Sequence, residues 1–189
     1  MKLFSKRLSH GQDGQDIVIN FLEKHFGYRF IAGERYGVVE NIEFIEEVEH
    51  CEYIPPDGMN GSRLFFTFKN GETDTVTMPD VFMENINREK FYWVEVKRHI
   101  YDYDEIMIDK SCFDDYERLY EYTRNSFVVV CLNPIDDWYA NLYVCNISTL
   151  INNKPEVSTR NRNEVYVWSM SENMTRKNRY PIKIENYSK

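Results

Sequence analysis

Two short stretches decide how this chain is read: Met78-Pro79-Asp80, and Phe91-Tyr92-Trp93-Val94-Glu95-Val96-Lys97, in which Glu95 follows Asp80 by fifteen positions. The second stretch is a strand by composition, and strand side chains alternate. Val94 and Val96 therefore face one side, and Trp93, Glu95 and Lys97 the other. A run this apolar is expected to be covered on both faces. An unpaired carboxylate and ammonium left there would cost several kcal/mol, on the order of the penalty for desolvating lone charged groups, so the pair needs a partner. A divalent cation held jointly by Asp80 and Glu95 is one such partner. Pro79 has no backbone donor, which predicts an irregular or edge position just before Asp80.

The surrounding pattern predicts an order of helix, three strands, helix, strand. Gly14, Ile17, Val18, Phe21, Leu22 and His25 recur at helical spacing between Asp13 and Phe26, and Gly27 stands where a C-terminal cap belongs. Tyr28 to Ile31 reads as a short strand, and the acidic stretch beyond it is ambiguous. Leu64 to Lys69 reads as a strand leading into Asn70-Gly71, the strongest short hairpin signal, and then into Met78 to Phe82. A turn at Asn85 to Arg88 returns the chain to the Glu95 strand, so these three strands are expected to form an antiparallel meander with Asp80 beside Glu95. A second helix is predicted from Asp109 to Asn125, with Cys112, Phe113, Tyr116, Leu119, Tyr120 and Thr123 on one face. The strand Phe127 to Leu132 follows, then a strand at Tyr139 to Cys145, a helical turn near Ser148 to Ile151 and a last strand at Val165 to Trp168.

With 189 residues, 42% of them hydrophobic, the chain is sized for one domain. The predicted core is 11–132, with an acidic insertion at about 36–62 and a C-terminal extension at about 135–189. No apolar block resembles a signal peptide or a membrane span, which predicts a soluble cytoplasmic protein with no membrane partner. Cys51, Cys112, Cys131 and Cys145 have no zinc spacing and read as reduced thiols. The net charge of −8 argues against a protein that coats nucleic acid non-specifically. Charge is uneven, however. Glu40, Glu43, Glu46, Glu47, Glu49 and Glu52 crowd one segment, whereas Arg160, Arg162, Arg176, Lys177, Arg179 and Lys183 mark the C-terminal region as the candidate phosphate-gripping surface.

Pro79-Asp80 and Glu95-Val96-Lys97, on strands between an N-terminal helix and a helix-strand unit, resemble the PD-(D/E)XK nuclease superfamily. The opening Gly11-Gln12-Asp13-Gly14-Gln15-Asp16, with Phe21-Leu22-Glu23-Lys24 and Gly27-Tyr28, is similar to the first helix of its Holliday-junction-resolvase-like and Mrr-like members. The resemblance implies an α/β (α+β) fold with a restriction-endonuclease-like αβββαβ core, a mixed sheet flanked by helices, and a strand-containing C-terminal extension. It implies a Mg²⁺- or Mn²⁺-dependent endonuclease with DNA as substrate, RNA remaining open, and often a homodimer or a protein partner. Asp80 and Glu95 would ligate the metal, joined by the carbonyl of Val96, and Lys97 would orient or help deprotonate the attacking water. Such hard ions take oxygen ligands, and burial together with the cation would lower the pKa of Lys97. Relatives carry an acid about where Gln15 stands, which puts a second metal in doubt, although Gln15 can still hydrogen-bond a metal-bound water. Tyr116 falls where relatives place a supporting polar residue and equally suits a core. Two other readings stay open: a non-catalytic binding or inhibitory module of the same fold, and an acidic nucleic-acid mimic.

Overall fold

A computed structural model describes residues 11–33, 42–57, 61–98, 105–135, 138–160, 162–170 and 179–187. The chain is mixed α+β. Helix α1 (Gly11–Phe26) leads through Gly27, in the left-handed region at φ 66°, directly into β1 (Tyr28–Gly33). β2 (Val48–Ile54), β3 (Arg63–Phe68) and β4 (Thr73–Thr77) form an antiparallel sheet of their own. β5 (Val81–Asn85), β6 (Lys90–Arg98), β7 (Glu105–Asp109), helix α2 (Lys110–Tyr122) and β8 (Ser126–Pro134) follow. The rest comprises β9 (Tyr139–Asn146), α3 (Ile147–Asn152), β10 (Ser158–Arg160), β11 (Asn163–Ser169), β12 (Arg179–Lys183) and a 3₁₀ turn at Ile184–Asn186.

The main sheet has the order β1-β5-β6-β8-β9-β12, antiparallel at every step except β6 with β8, which are parallel. A parallel pair requires a long crossover, and here it carries β7 and α2. Alternation along the strands splits the core into two layers. Val81, Met83, Val94, Val130 and Leu132 pack against Ile17, Val18, Phe21 and Leu22 of α1. Phe82, Trp93, Phe127, Val129 and Cys131 pack on the opposite face with Phe113, Tyr116 and Leu119 of α2, the β2-β3-β4 sheet, and Tyr166 and Trp168 of β11. Trp93 and Val94 are both fully buried, so β6 is covered on both faces.

One expectation needs correction. The hairpin at Asn70-Gly71 forms, with Gly71 at φ 85° and the Phe68 carbonyl accepting from the Gly71 N–H at 2.8 Å. Its strands β3 and β4 nevertheless join a sheet with β2, which pairs with β3, rather than the sheet of the Glu95 strand. The neighbours of β6 on that side are β5 and then β1. Hairpin chemistry fixes a turn locally and carries no information about which sheet the hairpin joins. Three further strands, β7, β10 and β12, lie where no strand was expected.

Candidate active site at the end of strand six

β5 begins at Val81, paired with Val94, so beyond that row the edge of β6 has no strand partner on the β5 side among the described residues. Asp80 fills the vacancy with its side chain. The Val96 N–H donates to Asp80 Oδ2 at 2.8 Å, and the Asp80 N–H donates to Glu95 Oε2 at 3.3 Å. Pro79, unable to donate, occupies the irregular link between β4 and β5. In an extended strand the N–H and C=O of one residue project from the same edge, so the Val96 carbonyl opens toward Asp80.

Four sequence-predicted side chains converge here. Gln15, from the first turns of α1, donates through Nε2 to Asp80 Oδ1 at 2.7 Å. Facing a carboxylate, the amide presents its NH₂; facing a cation it would present its oxygen. Lys97 Nζ lies 2.6 Å from Glu95 Oε1. Glu95 is only 3% exposed, whereas the Lys97 side chain keeps 26% of its surface accessible. The charge of the ammonium therefore compensates a carboxylate that is almost fully out of water.

The titration of Lys97 is set by the carboxylates around it. Burial works to lower its pKa, but the charge of Glu95, the hydrogen bond to it and the charge of Asp80 together outweigh burial and raise it. In this arrangement Lys97 is an ammonium donor. Tyr116 reaches the same place from α2: burial first, then the charges of Glu95 and Asp80, hold its hydroxyl proton far above the ordinary tyrosine range, with Glu95 as its hydrogen-bond partner. Cys131, beside Lys97 across the β6–β8 ladder, is pushed up to about 12 by burial despite the lysine's opposing charge.

Sequence reasoning missed the clamp behind the site. Asp115 Oδ2 accepts from both the Thr77 N–H at 2.8 Å and Thr77 Oγ1 at 2.6 Å, and Asp115 also pairs with Arg118. α2 thereby holds the end of β4, from which Met78 and Pro79 lead straight to Asp80. Nothing in the spacing of Thr77 and Asp115, 38 residues apart, signals this contact.

The basic residues are divided. Arg160 and Arg162 lie exposed on β10 and the turn after it, in the β10-β11-β7 sheet, and Arg176 and Lys177 lie outside the described residues. Arg179 stands on the edge strand of the main sheet, on the same transverse row as Lys97: Lys97 pairs with Cys131, Cys131 with Tyr143 and Tyr143 with Arg179. Three strand spacings of about 4.8 Å put the two backbone positions roughly 14 Å apart. Arg179 stacks over the Tyr143 ring at 5.8 Å. Glu105 is on β7, and Asp102 and Asp104 lie outside the described residues.

Among the described residues no three His, Cys, Asp or Glu side chains gather as a metal-binding group. Asp80 and Glu95 supply two carboxylates, and the Gln15 amide, the Val96 carbonyl and the Tyr116 hydroxyl bring neutral oxygens close by. That set suits a hard divalent ion that keeps several waters. No helix among the described residues is long and apolar enough to cross a membrane. No family model, curated protein or solved structure matches the chain.

Proposed function

We propose that the protein is a metal-dependent nuclease of the PD-(D/E)XK type, hydrolysing phosphodiester bonds in DNA as an endonuclease. One observation carries the reading: Asp80, Glu95, Lys97 and Gln15, drawn from a link, a strand and a helix, converge at the C-terminal end of the parallel pair β6–β8. The element order α1, β1, β5, β6, β7, α2, β8 supports an αβββαβ core, with β2 to β4 carried as an insertion and β7 given to the sheet of β10 and β11.

Asp80 and Glu95 would hold Mg²⁺ or Mn²⁺, with the Val96 carbonyl on the same edge. Bound there, the cation would polarise a phosphoryl oxygen and make a coordinated water more acidic. Lys97 would donate to the attacked phosphate or to the water and so orient it. Gln15 would turn its amide oxygen toward the cation or toward a water on it. Arg179 would take a neighbouring stretch of the backbone along the row that starts at Lys97, which extends the reading to substrate grip.

Cleavage of supercoiled plasmid with Mg²⁺, Mn²⁺ or EDTA tests the proposal. Nicking or linearisation should need the metal and vanish in Asp80→Ala and in Lys97→Ala. Undiminished cleavage by Asp80→Ala would overturn it.

The non-catalytic reading draws on a specific feature as well: the four side chains already satisfy one another, as a purely structural ion cluster would. Calorimetric Mn²⁺ titration separates the two readings. A site built for a cation binds Mn²⁺ in the wild type and not in Asp80→Ala, and a closed cluster binds in neither.

A further inference from the structure

A cavity of about 620 Å³ opens at the other end of β6, between the C-terminal end of α1 and the first residues of β8. From Lys90 to Glu95 along β6 is roughly 16 Å at about 3.3 Å per residue, so the cavity is separate from the carboxylate site. Its volume lies in the usual range for small-molecule sites.

Its charge runs against that of the molecule. The chain has 31 acidic residues against 23 Lys and Arg, yet the described lining contains no Asp or Glu and does contain Arg88, Lys90 and His25. Neither Arg88 nor Lys90 forms an ion pair among the described residues. A cavity that gathers cations and excludes acids in an acidic protein is complementary to an anion.

The walls add a second kind of chemistry. Tyr28, Tyr92 and Tyr180 contribute rings, the first two set edge to face at 5.1 Å. Burial, and then the neighbouring Tyr92, push the Tyr28 pKa up to about 12, so its hydroxyl remains a donor at neutral pH. Asn87 and Asn146 bring amides able to meet both donors and acceptors. Aromatic faces and amides beside guanidinium and ammonium groups are the groups that recognise a base together with its phosphate.

The frame is fixed in advance. Asn85 Nδ2 donates to the Phe26 carbonyl at 3.2 Å, and the Ile86 N–H donates to the Gly27 carbonyl at 2.9 Å, so these two carbonyls at the negative end of α1 are already engaged. The Arg88 N–H donates to the Asn85 carbonyl at 3.1 Å, which closes the turn carrying Arg88.

We infer that this cavity is a nucleotide-binding site, with Arg88 and Lys90 taking the phosphate and the tyrosine and asparagine walls taking the base. The ligand is either a free mononucleotide or a phosphorylated nucleotide of a nucleic-acid strand. The inference does not depend on the carboxylate site being catalytic.

Calorimetric titration of the full chain in EDTA tests it, with adenosine 5′-monophosphate, adenosine, inorganic phosphate and a 5′-phosphorylated oligothymidylate as probes. The monophosphate should bind at least about tenfold more tightly than adenosine or phosphate alone. The double variant Arg88→Gln/Lys90→Gln, at two exposed positions, should lose at least about tenfold in affinity with its melting temperature unchanged. Oligonucleotide binding that is lost in this variant, with the monophosphate silent, would assign the site to a strand. Binding of neither the monophosphate nor the oligonucleotide, or binding equal in wild type and variant, would overturn the inference. Asp80→Asn should bind as wild type does, so a failed cleavage assay and a failed titration remain distinct results.

Discussion

At its C-terminal end β6 buries Glu95 and matches it with Lys97 at 2.6 Å, whereas at its N-terminal end Lys90 and the preceding Arg88 stand exposed with no acid paired to either among the described residues. The two ends obey one rule. A charge taken out of water must be compensated inside the protein, because desolvation costs more than imperfect geometry can return. A charge left in water carries no such obligation and can await an external partner. The buried end is consequently where substitutions should disturb folding, and the exposed end is where they should disturb binding alone.

The largest effect should come from separating the buried pair. Lys97→Met leaves Glu95 without its counter-charge and should cost about 3–5 kcal/mol in urea denaturation, while Lys97→Met/Glu95→Met should recover most of that loss. If the double variant is as unstable as the single one, the matched-charge account of this end is wrong. Gln15→Glu is a finer probe, because it sets a third carboxylate beside Asp80. In EDTA like-charge repulsion should lower stability by on the order of 1–2 kcal/mol, about one pKa unit of interaction, and Mn²⁺ should restore it. A melting temperature indifferent to Mn²⁺ would favour the closed ion cluster.

An intermediate case should show the smallest effect. On α2, burial works to raise the pKa of Asp114, but hydrogen bonds from Lys110 and Lys154 outweigh it and lower the pKa. A depressed carboxyl pKa gives stability that is fully present above the unfolded value of about 3.9 and is lost as pH falls through the folded value. Because the groups are about a third exposed, the contribution should stay below about 1 kcal/mol. The melting temperatures of wild type and Asp114→Asn should therefore differ slightly at pH 6 and converge toward pH 3.

Elements whose signal is local were legible in the sequence. α1 announces itself through the spacing of Ile17, Val18, Phe21 and Leu22 and through Gly27, where a side chain would meet both a positive φ and the Asn87 amide. The alternation about Trp93, Glu95 and Lys97 also holds, as does the nearness of Asp80 to Glu95. Partnerships between distant elements were not legible. β2, with Glu49 and Glu52, ends an acidic stretch whose pattern fits strand and helix equally, so nothing marked it as the partner of β3. β7 alternates Ile106 and Ile108 inward over only five residues, too short to stand out from the acids before it. β12 carries Pro181, which an edge strand tolerates and a sequence pattern counts against it.

The parallel β6–β8 pair has a kinetic consequence. Asp80 and Glu95 meet through a local hairpin, the kind of structure that closes in roughly 1–10 μs. The ladder joining Lys97 to Cys131 must wait for the crossover through β7 and α2, and non-local pairing of this kind is slow. The carboxylates thus come together while still hydrated, and their dehydration is deferred to the last docking events. Amide hydrogen exchange during refolding should protect Val81 to Asn85 before Val129 to Leu132.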